Sequence, residues 1–394
     1  MKNKILICLA VFCTLVLTSG GCVGGQQKPV GLSGVTAYDE ILYLGSVDGK
    51  IMAVDPAARK EDLTFPSSPD EWSFAYTVPS KSISCSSSSV PVTIYGTPAV
   101  IDGLVCIGIY EGKVFMISPE ARIRNLDFPQ ARTGEWVYPK ADDVIERIVG
   151  SPVVADGTIY ICCSDGRVYA LDATYGDEKW KSELLGDKLW VTPVLKEQTL
   201  YVSAFDGHIY ALSAEDGSLL PWEFESEIGF VSSPVLYDDT IFVGSFDRNL
   251  YAIKIGDDNP LWTFPGGDWF WGTPVVKDGI VYAGCLDGNV YALDSKTGNV
   301  LWEFDTKNYI EDDRVVSSPV LVDDLLVVAC DSGEVYEINI ADGILEYTVS
   351  IGHPIRSSLC VQDDIVYIRS QDNYLYAVDV DKGKIDWEFP LTIE

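Results

Sequence analysis

The sequence predicts an all-β fold: an eight-bladed β-propeller of four-stranded antiparallel blades. Three observations predict it. One stretch of text recurs eight times, each copy reads as four short strands, and most copies end on a tryptophan. The copy from Gly272 is the clearest, with Thr273-Pro274-Val275-Val276, then Asp278-Gly279-Ile280-Val281-Tyr282, then Asp287-Gly288-Asn289-Val290-Tyr291-Ala292-Leu293-Asp294, then Leu301-Trp302-Glu303-Phe304. Related copies start at Ser151, Thr192, Ser233, Ser318 and Ser358, a looser one at Thr97, and the weakest near Ser33. Successive prolines Pro152, Pro193, Pro234 and Pro274 stand 41, 41 and 40 residues apart.

β-branched and aromatic residues dominate the four segments of each copy, as pleated strands prefer. Asp156-Gly157 and Asp278-Gly279 join the first and second strands; Asp165-Gly166, Asp206-Gly207 and Asp287-Gly288 join the second and third. Asp-Gly suits tight turns whose central residues need positive φ, so these pairs are read as turns and not as calcium loops. A four-stranded sheet with two apolar faces must stack on neighbours. Trp136, Trp180, Trp222, Trp262, Trp302 and Trp387 are expected to fill the gaps between blades. Tyr347 replaces the tryptophan in the seventh copy, and the first copy is expected to end near Tyr76. The ring closes either within one continuous copy or by borrowing a terminal strand.

The organisation along the chain follows. Residues 1–21 read as a signal segment: Lys2 and Lys4 precede an apolar run from Ile5 to Leu17, too short to span a bilayer comfortably. Small residues then lead to Cys22, as in a lipoprotein signal, so Cys22 is the expected lipidation site, with 22–30 as anchor and tether and 31–394 as the propeller. The expected location is extracytoplasmic, on the outer side of the cell membrane. Copies one and two carry insertions around Pro66-Ser67-Ser68-Pro69-Asp70, from Pro79 to Pro91, and from Arg122 to Thr133, which read as loops or flexible tethers.

Charge excludes one class of partner. With 28 Lys+Arg against 59 Asp+Glu and a net charge of −31, the chain repels phosphate backbones, so nucleic-acid binding is not expected. Cys106, Cys162, Cys163, Cys285, Cys330 and Cys360 sit in strand-like apolar runs and read as buried small hydrophobes; Cys85 in the serine-rich insertion is the exposed candidate. No Cys/His spacing signals a metal, and no nucleophile elbow, phosphate loop or paired-histidine motif is present. Only His208 and His353 occur, and both read as turn or loop residues. No catalytic residue and no metal ligand is assigned.

A binding face is the functional expectation. The segments linking the fourth strand of one copy to the first strand of the next supply Arg147, Lys188, Trp190, Trp269, Trp271, Arg314 and Arg356. Arg and Trp are favoured at interface hot spots, and these cations stand together in a chain short of positive charge.

The third-strand Asp followed by Thr-Gly and Leu-Trp resembles the tryptophan-docking motif of the pyrroloquinoline-quinone (PQQ) repeat. The resemblance covers residues 31 to 390 and is strongest from Asp294 to Phe304, Asp172 to Trp180 and Asp379 to Phe389. Two branches share the motif: quinoprotein alcohol dehydrogenases, and a non-enzymatic lipoprotein branch that includes the bacterial outer-membrane assembly factor with PQQ-like repeats. A lipoprotein signal followed directly by repeats is similar to the second. That resemblance implies a non-catalytic, monomeric cell-surface scaffold that binds envelope proteins or peptides and needs no cofactor. The first branch implies a PQQ-dependent dehydrogenase; its adjacent-cysteine disulfide has a counterpart in Cys162-Cys163, but here the pair lies in a strand, where neighbours face opposite sides. A carbohydrate- or cation-binding module, using Trp269 and Trp271, is a further alternative.

Overall fold

The computed structural model describes residues 33–61, 63–79, 89–140 and 143–392. The expected signal segment, Cys22 with its tether, and Cys85 lie outside them. The described residues form eight four-stranded antiparallel sheets, the blades of an eight-bladed propeller, spanning 35–75, 99–138, 153–181, 194–225, 235–265, 275–305, 320–350 and 360–390. Strand order within every sheet follows the chain, so no blade borrows a terminal strand. No helix among these residues is long and apolar enough to cross a membrane.

Blade 6 shows why the blades must stack. Its strands are Val275–Lys277, Ile280–Gly284, Asn289–Asp294 and Val300–Asp305. Side chains alternate along a strand. Val290 and Ala292 therefore join Leu326, Val328 and Ile338 of blade 7, while Tyr291 and Leu293 join Phe242 and Ala252 of blade 5. Neither face meets water, which explains the near-continuous apolar text of the second and third strands. The core of the described residues is eight such clusters, each shared by two adjacent blades. The last of them packs Leu42, Leu44 and Met52 of blade 1 against Tyr367, Leu375 and Phe389 of blade 8, and so closes the ring. Each large apolar side chain buried there contributes roughly 1.5–3 kcal/mol.

The outer rim of each joint has its own device. The Trp262 ring lies on Gly298 of the next blade, and its Nε1–H donates to the Ser295 carbonyl at 3.0 Å. Trp302 repeats this with Gly343 and the Ile340 carbonyl at 2.9 Å, Trp180 with Gly217 and Ala214, and Trp136 with Gly176 and Ala173. The glycine is doubly required: Gly343 has φ 74°, and a Cβ there would stand 2.8 Å from Trp302 Cδ2. Blade 1 departs from the expectation. Its docking residue is Trp72, paired with Ala53 as Trp302 is with Ala292, and not a residue near Tyr76. The insertion between Val54 and Trp72 hides this spacing.

The turns also refine the expectation. Between first and second strands both central residues take positive φ in blades 1, 2, 3 and 6, as at Asp156 (48°) and Gly157 (67°), and only the first does in blades 4, 5, 7 and 8, as at Asp238 (54°). Between second and third strands only the glycine position does, and Arg248 (74°) and Asn373 (68°) adopt it in blades 5 and 8 without glycine.

Two insertions expected to be loops or tethers are ordered around buried ion pairs. In blade 1, Asp55 caps a short helix, Pro56–Lys60, and Arg59 meets Glu71 at 2.9 Å with both side chains buried. Glu71 also accepts from the Ser67 and Asp55 amides, and the guanidinium lies over the Phe389 ring of blade 8 at 4.6 Å. Blade 2 repeats the plan: Ser118 caps Pro119–Ile123, Arg122 meets Glu135 at 2.8 Å, and its guanidinium lies over Phe74 of blade 1 at 4.8 Å. Each helix thus takes the place of the glycine turn against the preceding blade.

Two substitutions, each with a control, test the joints by thermal or denaturant unfolding. Gly343→Ala is expected to cost about 3 kcal/mol or more, from strained backbone plus displaced indole. Gly157→Ala, with similar φ and nothing within 4 Å of the added Cβ, should cost only about 1 kcal/mol. Arg59→Ala should cost about 3–5 kcal/mol by orphaning Glu71, whereas Lys60→Ala, which loses a pair whose lysine is largely exposed, should stay within about 1 kcal/mol.

Candidate functional site

The seven predicted binding residues all fall on one face, and backbone hydrogen bonds put them there. Each connecting segment is clamped to the turn between second and third strands. Ser164 N donates to the Arg147 carbonyl (2.9 Å), Phe246 N to Gly229 (2.9 Å), Leu286 N to Trp269 (2.9 Å), Asp331 N to Arg314 (3.0 Å) and Gln371 N to Pro354 (3.0 Å). The next residue in each segment is a plug in the joint: Ile148, Leu189, Phe230, Phe270, Val315 and Ile355 are all fully buried. Fixing the carbonyl and burying the following side chain leaves Arg147, Lys188, Trp269 and Arg314 at the surface of the turn face. Arg147 and Arg314 are exposed, and Lys188 and Trp269 are half-buried.

The cations do not make one patch. Arg147 and Lys188 precede blades 3 and 4, whereas Arg314 and Arg356 precede blades 7 and 8, on the opposite side of an eightfold ring. Their neighbours differ as well. Arg147 stacks over Tyr110 at 5.2 Å and Lys188 over Trp190 at 5.8 Å. Arg356 is held by Asp331 through two hydrogen bonds, Nε to Oδ1 at 2.6 Å and Nη2 to Oδ2 at 3.1 Å. That guanidinium is committed to its own blade joint.

The aromatic residues form the more coherent feature. Trp190 packs edge-to-face on Phe205 (5.4 Å, 64°), Phe205 on Phe246 (5.3 Å, 80°) and Phe246 on Trp269 (5.3 Å, 86°). This arc crosses the turns of blades 4 and 5, and all four rings are half-buried. Both indole N–H groups are used internally: Trp190 donates to Ser164 Oγ at 2.7 Å and Trp269 to the Phe246 carbonyl at 3.0 Å. What the arc presents is apolar ring surface. Trp271 stands half-buried beside the plug Phe270. Phe205 and Phe246 were not foreseen from sequence. Their signal is an aromatic residue at a turn position where other copies carry Ser164, Asp331 or Gln371.

The turn carboxylates have structural partners. Tyr169, Tyr210, Tyr251 and Tyr376 each donate their hydroxyl to the turn aspartate four residues earlier (Asp165, Asp206, Asp247 and Asp372) at 2.6–2.7 Å, while the other oxygen accepts a turn amide. Burial and the adjacent carboxylate push these phenols well above the usual tyrosine range. Each pair staples a turn to its third strand, as the turn reading of Asp-Gly requires. Among the described residues no group of three His, Cys, Asp or Glu is placed to hold a metal ion. His208 stacks on Tyr210 at 5.2 Å, and His353 is exposed, 3.9 Å from Asp372.

Cys162 and Cys163 are both free and buried. They face opposite ways as the strand predicts: Cys162 belongs to the joint of blades 3 and 4, Cys163 to that of blades 2 and 3. Burial raises both thiols far above their ordinary value.

Comparison with known proteins agrees with this architecture. A search of curated protein sequences finds no match. Among solved structures, BamB from Moraxella catarrhalis superposes with a TM-score of 0.63 at 15% identity, covering 87% of this chain and 92% of its own. The computationally designed Ika8 protein gives 0.64 at 14% identity (89% and 97% covered), and Saccharomyces cerevisiae Sqt1 gives 0.63 at 12% identity (80% and 87% covered). At such identities the likeness is one of fold. The sequence profile of the family described as outer membrane protein assembly factor BamB matches residues 23–182, 130–228, 206–350 and 287–393, so that it spans nearly the whole chain from residue 23 on. The chain belongs to this BamB-type family of PQQ-like repeat propellers.

Proposed function

We propose that this chain is a non-catalytic propeller of the cell envelope, tethered through a lipid on Cys22, that holds an envelope protein or peptide on its turn face. One observation carries the reading: the arc Trp190–Phe205–Phe246–Trp269. The fold does not demand aromatic residues there: Ser164, Asp331 and Gln371 stand at the position of Phe205 and Phe246, and Gly229 and Pro354 at that of Trp269, with the same backbone bonds, while Val149, Val231 and Val316 stand at that of Trp190. Four half-exposed rings at positions where other blades carry non-aromatic residues favour a task outside the scaffold. Membership of a family described as an assembly factor agrees with a holding role.

The geometry favours this over the two alternatives. Rings alternating edge-to-face give a corrugated surface, not the flat platform on which a sugar stacks. Thiols on opposite faces of a strand do not form the adjacent disulfide that quinoprotein dehydrogenases lay on their cofactor.

The test is capture of envelope proteins by the mature chain, compared with a Trp190→Ala, Trp269→Ala double variant shown to be folded by circular dichroism. The variant is expected to lose at least about tenfold of the partner captured by the parent. Equal capture by both proteins would overturn the assignment of the turn face.

A further inference from the structure

Among the described residues, one blade joint carries a carboxyl group without a hydrogen-bond partner in its apolar core, at a position buried between blades 7 and 8. In five blades a small alanine of the third strand sits between an aromatic residue of the second and the tryptophan of the fourth. Phe242–Ala252–Trp262 and Tyr282–Ala292–Trp302 are examples. In blade 7 the same three positions are Val327, Glu337 and Tyr347. Two larger side chains have become smaller, and the alanine has become a glutamate that takes up the space. Tyr347 still lies on the glycine of the next blade, Gly383, but it has no indole N–H to donate across the joint.

Glu337 is fully buried, and neither carboxyl oxygen has a hydrogen-bond partner. It shares the strand face of Val335, which packs with Val366, Val378 and Val380 of blade 8. A carboxylate without a partner in such surroundings is costly, whereas the protonated acid is tolerated far better. The titratable groups around it offer no compensation. On its own sheet the cross-strand neighbour is Tyr347. From blade 8 the facing side chains include Tyr374 and Tyr376, whose hydroxyl is held by Asp372 at 2.7 Å. The charge that acts on it is Asp379, itself paired with Lys382. Burial first, and Asp379 second, push the Glu337 carboxyl up to about 7 from its ordinary 4.5.

We propose that the joint between blades 7 and 8 is a proton-controlled seam: it is closed while the Glu337 carboxyl is protonated, and ionisation of that carboxyl loosens this joint ahead of the others. The sign follows from linkage. A carboxyl whose folded value is raised favours the folded state most fully at pH below its unfolded value, and that advantage is lost as the pH climbs to the folded value. The window for Glu337 therefore runs from about 4.5 to about 7. An envelope protein with this seam would loosen one side of its ring as its surroundings turn from acid to neutral.

Hydrogen exchange with mass spectrometry on the whole mature chain tests this, corrected for intrinsic exchange and compared at pH 5.5 and 8.5. Protection of the outer strand Leu345–Ser350 is expected to fall at least tenfold relative to Val300–Asp305 of blade 6 as the pH rises. In Glu337→Gln, which keeps the shape without the titration, the ratio should not change with pH. Glu337→Ala leaves a gap, so it should be less protected at both pH values, again without pH dependence. His208→Asn and His353→Asn, which remove the two histidines of the chain one at a time, should behave as the parent does. The proposal is overturned if Glu337→Gln retains the parent's pH dependence, or if either histidine variant abolishes it.

Discussion

The structure depends on one contact found at five of its eight joints: an aromatic ring on the outer strand of a blade, laid on a glycine of its neighbour. Apolar alternation on the second and third strands makes both faces of every sheet adhesive, but adhesion alone does not fix the angle or register between sheets. The indole does, because it combines a flat surface with a single donor aimed at a carbonyl of the next turn. The partner turn must then bend tightly enough to bring backbone against a ring, which is why glycine stands there with positive φ.

Seen this way, the departures have related causes. In blades 1 and 2 the glycine turn is replaced by a capped helix with a buried Arg–Glu pair, whose guanidinium lies on an aromatic ring of the preceding blade. In blade 7 the tryptophan is replaced, and a glutamate fills the volume released. A ring of eight joints tolerates such local rewriting because every joint carries its own apolar cluster. The same clamping creates the turn face. Each connection gives up one carbonyl and one buried plug to the scaffold, and the remaining side chains stand where the ring has no use for them.

The repeat, the four strands and the tryptophan joints were legible because they rest on residue types that physics restricts, namely Pro, Gly, Asp and Trp at fixed spacing. Trp72 was not legible: Ala53 and Trp72 are cross-strand partners, yet the helix Pro56–Lys60 and the loop after it lie between them. The ion pairs Arg59–Glu71 and Arg122–Glu135 were hidden for the same reason, since serine- and proline-rich text reads as loop until a buried charge organises it. Of the candidate face, the backbone placement of Arg147, Lys188, Trp190, Trp269, Trp271, Arg314 and Arg356 followed from the repeat. The repeat order also sets the cations on opposite sides, since blades 3 and 4 stand across an eightfold ring from blades 7 and 8. The capture of Arg356 by Asp331 and the recruitment of Phe205 and Phe246 depend on side-chain contacts between blades, which spacing within one copy does not encode.

The central claim is that blade 8 closes directly on blade 1. Lys60 Nζ lies 2.8 Å from Asp386 Oδ2 across that seam, with most of the lysine exposed. Zero-length carbodiimide cross-linking, with the single-chain product isolated and read by mass spectrometry, should therefore join Lys60 to Asp386. The exposed pair Lys140 and Asp177, 2.6 Å apart between blades 2 and 3, serves as the internal standard. A Lys140–Asp177 product without any Lys60–Asp386 product would contradict the closed ring.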